Sequence, residues 1–169
     1  MAGVFSVDGK IILGIDPGYA RMGWGVIKMV AGGFDCLGFG CVETPKEEEM
    51  GTRLAYLNDA LYQIIGHYKP DDIAIEELFF AKNVKTALNV AHARGVIMMR
   101  AAMHSGKIFQ YRPNVIKLAT TGDGKADKKA MTAAVSRLLQ FEHAPKLDDV
   151  ADALAIAFTH ATITCGTGS

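Results

Sequence analysis

What the chain lacks narrows it first. No apolar run approaches the roughly 20 residues of a membrane span, because Arg94 and Arg100 break the longest candidate. The first ten residues show no basic start followed by an apolar segment, so a secretory signal is not supported and a cytoplasmic location is expected. Cysteine is scarce. Cys36, Cys41 and Cys165 form neither a Cys-x-x-Cys pair nor an even disulfide framework, and they read as reduced, small buried hydrophobes rather than redox groups. The five histidines include no His-x-x-x-His pair, which argues against a zinc site. Internal repeats and low-complexity segments are absent, and so is net charge, since 18 Lys and Arg balance 18 Asp and Glu. The composition is 50% apolar and 21% charged over 169 residues, which fits one well-buried soluble domain and excludes a disordered or collagen-like chain.

The zero balance hides a segregation of charge. From Lys82 to Arg137 there are eleven basic residues against two acids, whereas the remainder carries seven against sixteen. A basic stretch that projects to one side of a fold can hold phosphates, with a set of solvated helix faces as the plainer alternative. The runs Glu47-Glu48-Glu49 and Asp71-Asp72 read as solvated surface charge.

Three strand signals come early, at Lys10–Ile15, Gly23–Val30 and Phe34–Val42, separated by turns at Pro17-Gly18 and Gly32-Gly33. They predict an antiparallel meander. From Glu47 to Tyr68, Met50, Leu54, Leu57, Leu61, Ile64 and Tyr68 recur at spacings of three and four, an amphipathic helix that Pro70 ends. A buried strand at Asp72–Glu76 follows as a crossover onto the first sheet. Lys82–His104 predicts a second helix, apolar on more than one face, whose surplus surface calls for a protein partner, most simply a second copy of the chain. A strand at Lys107–Tyr111, a short helix from Pro113, a basic helix over about Lys125–Gln140 and a last helix over Asp148–Ile163 complete the order. The expected architecture is α/β, a mixed five-stranded sheet with helices on both faces. Residues 10–163 form the domain, 1–9 an extension or cloning remnant, and 164–169 a loose tail.

Two of the strands stop at acid. Ile11-Ile12-Leu13-Gly14-Ile15 ends at Asp16, and Ile73-Ala74-Ile75 ends at Glu76. A carboxylate beside a sheet interior is costly unless its charge is compensated, and a bound cation compensates it. Asp149 and Asp152, three residues apart, share one face of the last helix, with Asp148 close enough to confuse the register. Hard carboxylate oxygens suit magnesium or manganese, completed by substrate phosphate oxygens. Two such ions about 3.5–4 Å apart would activate water for in-line attack on phosphorus, with no nucleophilic side chain required.

The ordered set of motifs is specific. Ile15-Asp16-Pro17-Gly18 with Gly23-Trp24-Gly25, Ala74-Ile75-Glu76-Glu77 with Phe79-Phe80-Ala81-Lys82-Asn83, and Asp149-Val150-Ala151-Asp152-Ala153-Leu154-Ala155 resemble the motifs of RuvC-type Holliday-junction resolvases, in order and in spacing. Ala93-Arg94-Gly95, Lys117, the turn Gly122-x-Gly124-x-Ala126-x-Lys128 and Ala157-x-Thr159-His160 match as well, so the resemblance covers Ile11 to His160. It implies an RNase H-like fold, a symmetric homodimer, and Mg²⁺-dependent nicking of two opposed strands of a four-way DNA junction in recombination and repair. Two Mg²⁺ per site are implied, with Mn²⁺ as a substitute, and a branch-migration motor is an implied partner; no membrane is involved. By the family pattern Asp16, Glu76, Asp149 and Asp152 are the metal ligands, and Lys117 and Lys128 approach the scissile phosphate.

Phe79 matches an aromatic position that stacks on a base near the crossover, a role Phe80 could share, with a core phenylalanine as the alternative. Lys82, Lys85, Lys125 and Lys129 are candidates for backbone contacts that position DNA. Asp123 sets an anion beside the proposed phosphate lysines. Gly14-x-Asp16-x-Gly18 before a hairpin also resembles the phosphate-binding start of actin-like ATPases and sugar kinases, but the chain is too short for their two lobes and shows no second phosphate loop. A non-catalytic junction-binding protein would be favoured by a missing acid, and all four are present. A nuclease for other branched DNA would differ in dimer geometry rather than in motifs.

Overall fold

The apolar run after Lys10 becomes β1 (Ile11–Asp16), the first strand of a computed structural model that describes residues 9–78, 84–104, 107–141 and 148–166. Next come β2 (Arg21–Val30), β3 (Gly33–Glu43), α1 (Met50–Tyr68), β4 (Asp72–Glu76), α2 (Val84–Ala102), β5 (Lys107–Tyr111), α3 (Pro113–Thr121), α4 (Lys128–Leu138) and α5 (Asp148–Gly166). The strands form one sheet in the order β3-β2-β1-β4-β5. The early meander is antiparallel, while β1, β4 and β5 run parallel, as the crossover expectation required.

Alternation along the strands sorts the core onto two faces. Leu13, Ile15, Ile73 and Ile75 pack with Leu57, Leu61, Ala93 and Ile97 of α1 and α2. Ile12, Ile27 and Ala74 pack on the other face with Leu154, Ala157 and Ala161 of α5, over which Ile116 of α3 and Met131 and Val135 of α4 close. α5 is therefore an inner helix, enclosed between the sheet and two further helices, and Ala153 to Ala161 are buried without a break.

Several boundaries differ from the sequence expectation, each for a local reason. α1 starts at Met50, leaving the three glutamates before it as solvated chain. It ends where Lys69 takes a left-handed conformation and its N–H bonds Ile65 O at 2.8 Å, because Pro70 disfavours helix in the residue before it. α4 starts at Lys128 rather than near Lys125, because the Asp127 carboxylate caps it by accepting from the Ala130 N–H at 2.8 Å. α5 runs to Gly166, three residues past the expected end, so Thr164 to Gly166 are helical. At the other end the Gly9 N–H bonds Met29 O at 2.7 Å and extends the ladder one residue into the expected extension. The cysteines are free, but none is fully buried as expected: Cys36 and Cys41 are partly buried and Cys165 is exposed.

The expectation of a surplus apolar surface falls on α2. Ala93, Ile97 and Ala101 face the core, whereas Leu88, Met99 and Met103 are each more than half exposed. No helix among the described residues is long and apolar enough to cross a membrane.

Candidate active site

Strand periodicity decides where the first two acids point. Ile12, Gly14 and Asp16 share the α5 face of β1, and Asp72, Ala74 and Glu76 share that of β4, since the intervening Leu13, Ile15, Ile73 and Ile75 pack on the opposite side. Ile15 pairs with Ile75 in the parallel register, so Asp16 and Glu76 leave adjacent strands side by side at their carboxyl ends.

Glycine sets how close α5 comes. A Cβ on Gly14 would lie 2.1 Å from Ala153 O and 2.6 Å from Ala157 N; one on Gly23 would lie 2.0 Å from Asp149 O. Any side chain there would meet helix backbone. These bare strand positions, facing Ala153 and Ala157, let α5 rest directly on β1 and β2. Gly23 pairs with Asp16, so the same contact brings the first turn of α5, with Asp149 and Asp152, to the acidic strand ends.

The resulting cluster is short of positive charge. Burial pushes Asp16 up to about 8, reinforced by the negative charges of Glu76, Asp152 and Asp149 and opposed by Lys128. Burial pushes Glu76 up to about 7, reinforced by Asp152 and opposed by Lys117. Asp152 is raised as well, by burial first and then by Asp148 and Asp149, against Lys128 and Lys117. Carboxylates that raise one another in this way fit a divalent cation, and an all-oxygen donor set fits a hard one. They share one electrostatic field rather than one closed ligand sphere: among the described residues, no three His, Cys, Asp or Glu side chains stand close enough to grip a single ion. Asp149 is turned toward Arg21, whose Nε lies 3.2 Å from its Oδ2, with Cys41 Sγ 4.0 Å from the same oxygen.

Both proposed phosphate lysines reach the cluster. A single cleft is lined by Glu76, Asp152, Lys117 and Lys128, with Pro113, Ile116 and Met131 as its apolar wall. Lys117 comes from α3 and also borders an adjoining cleft with Arg112, Asn114 and Gly124. Lys128 is the first residue of α4 and pairs with Asp148 at 3.3 Å, which raises its pKa. Lys125 and Lys129 are exposed nearby, in the turn and the first turn of α4. The Asp123 carboxylate folds back on that turn and accepts the Lys125 N–H at 2.9 Å. Phe79, Phe80 and Lys82 lie outside the described residues, as does the side chain of Lys85 in the first turn of α2.

Comparison with known proteins identifies the family. The family model "Crossover junction endodeoxyribonuclease RuvC" matches residues 12–160. The chain belongs to the RuvC family. A RuvC from Alkaliphilus oremlandii is 48% identical over 151 residues, 89% of this chain and 92% of the relative. One from Clostridioides difficile is 44% identical over 152 residues, 89% of each. Among solved structures, Thermus thermophilus RuvC in complex with a Holliday junction substrate is 29% identical, with a TM-score of 0.88 over 94% of this chain and 97% of that one. The fold is thus RNase H-like, the RuvC architecture.

Two features of this RuvC-family site escaped sequence reasoning. Arg21 belonged to no motif and lay outside the expected strand; only its place on β2, two residues before the Gly23 on which α5 docks, reveals it as the partner of Asp149. Asp72, expected as solvated charge, is 3% exposed and bonded to His160, because it stands on the α5 face of β4. Counting back by twos from Glu76 would have put it there.

Proposed function

We propose that this protein is a metal-dependent endonuclease that resolves four-way DNA junctions by paired nicks in opposed strands, serving homologous recombination and repair. The observation that carries the reading is the cleft in which Glu76 and Asp152 meet Lys117 and Lys128, with Asp16 on the adjacent strand end. Asp16, Glu76, Asp152 and, once released from Arg21, Asp149 would hold magnesium or manganese. Such ions supply activation of a water and neutralisation of charge on the phosphorus oxygens when bound.

The chain's own residues do the rest. Lys117 and Lys128, on separate helices that line the same cleft as Glu76 and Asp152, offer two point charges to one phosphodiester. The exposed Lys125 and Lys129 extend the basic rim along which a strand can lie. The uncovered Leu88 and Met99 of α2, with Met103 just past its end, are the surface on which two copies would associate. A two-fold pair presents two identical sites, as two symmetric nicks require.

The test is cleavage of a labelled mobile four-way junction with Mg²⁺, beside linear duplex of the same sequence and the Asp16→Asn variant. Paired, ligatable nicks are expected on the junction alone, with Asp16→Asn binding the junction but not cutting it. Equal cutting of duplex would discard junction selectivity, and undiminished cleavage by Asp16→Asn would overturn the site.

A further inference from the structure

A chain of polar groups runs through the core beneath the cleft. His160 on α5 is 0% exposed; its Nε2 lies 2.7 Å from Asp72 Oδ2 and its Nδ1 2.7 Å from the Tyr111 hydroxyl. Lys10 pairs with the same Asp72 oxygen from the rim of the sheet. Burial holds His160 below its usual pKa against the pull of Asp72, which favours the neutral ring. A neutral imidazole has one donor and one acceptor, and here each has a partner: Nε2–H donates to Asp72 and Nδ1 accepts from Tyr111. The Phe109 ring, 4.1 Å from the imidazole between centroids, walls one side.

Apolar side chains of similar volume would fill this space without the desolvation cost of a buried charge. What hydrogen bonds add is direction, and the two ends of this chain show what is directed. Tyr111 is the last residue of β5 and pairs in register with Glu76; its carbonyl accepts the Glu77 N–H at 2.8 Å. Arg112 follows, with its Nε 3.3 Å from Glu77 Oε2, and Pro113 then opens α3, which carries Lys117. At the other end, His160 belongs to the helix that carries Asp149 and Asp152.

We infer that Asp72, His160 and Tyr111 are positioning residues: their hydrogen bonds lock the β5–α3 junction to α5, and so fix Glu76 and Lys117 on one wall of the cleft relative to Asp152 on the other. The inference rests on the nuclease reading for its consequence, because displacement of a catalytic group by an ångström can cost on the order of a hundredfold in rate.

Tyr111→Phe removes one hydroxyl and keeps the ring. Its single-turnover nicking at saturating junction and Mg²⁺ should fall about tenfold with junction affinity unchanged. His160→Gln, which keeps a donor and an acceptor, should nick faster than His160→Leu, which keeps neither. Leu61→Ala, a core truncation on the opposite face of the sheet, supplies the control for lost stability and should leave the rate unchanged well below its melting temperature. Amide exchange gives a readout independent of cleavage: Tyr111→Phe should speed exchange at Glu77 and in the first turn of α3, and Leu61→Ala should not. Wild-type nicking by Tyr111→Phe, a loss no greater than that of Leu61→Ala, or unchanged exchange at Glu77 would each overturn the inference. A wild-type protein that nicks no junction would instead sink the nuclease reading, while the exchange comparison would still decide whether the lock exists.

Discussion

Asp16 illustrates how a single residue can work against the fold that holds it. Its carboxyl is raised from 3.8 to about 8, so between those values the folded protein holds a proton that the unfolded chain has released. The stability this contributes is fully present below 3.8 and is lost as pH rises through about 8; Glu76 adds the same trend between 4.5 and about 7. Asparagine mimics the protonated form. In the presence of chelator, Asp16→Asn should therefore melt close to wild type at pH 3.5 and several degrees above it at pH 8.5. Added Mg²⁺ should reverse that order, because the wild-type carboxylate gains a partner that asparagine replaces poorly. Differential scanning fluorimetry decides the point, and coincident melting at both pH values would show that Asp16 is not under charge stress.

At the scale of elements, the seat of α5 on Gly14 and Gly23 controls the height of two acids above the sheet. Gly14→Ala would drive a methyl group into the Ala153 carbonyl and the Ala157 nitrogen, both of them backbone and unable to step aside. Overpacking of this kind costs about 1–3 kcal/mol, and a protein of this size loses about 2–4 °C per kcal/mol. A fall of several degrees is expected, together with slower cleavage as Asp149 and Asp152 lift. Gly66→Ala, in α1 with nothing near the added carbon, should be neutral or slightly stabilising. Equal melting of Gly14→Ala and wild type would show that the helix is not seated on these glycines.

Elements were also what the sequence displayed most clearly, because strand alternation and helical spacing are local signals. The runs ending in Asp16 and Glu76 marked two strands and two acids at once. Contacts between distant residues were not legible. His160 and Asp72 lie 88 residues apart, and neither carries a local sign of the other. Likewise Gly14 and Gly23 read as ordinary strand residues until a helix is laid across them.

At the scale of the whole molecule, the exposed stripe on α2 makes a prediction about assembly. Met99 is 53% exposed, one turn from the similarly uncovered Met103 and on the same helix as the uncovered Leu88. If two copies meet there, Met99→Glu buries an unpaired charge twice across the two-fold axis, and the dissociation constant should rise on the order of a hundredfold. Light scattering coupled to size exclusion should record a shift from dimer to monomer with the melting temperature nearly unchanged. A variant that remains dimeric would move the interface elsewhere.

The burial of α5 as an inner helix has a consequence in time. Asp16 comes from β1 and Asp152 from α5, more than a hundred residues later, so translation delivers the halves of the acidic cluster well apart in time. A nascent chain stalled before α5 has a sheet with one face uncovered, and it lacks both helix acids. The acids that complete the cluster thus arrive together with the helix that covers the open face of the sheet.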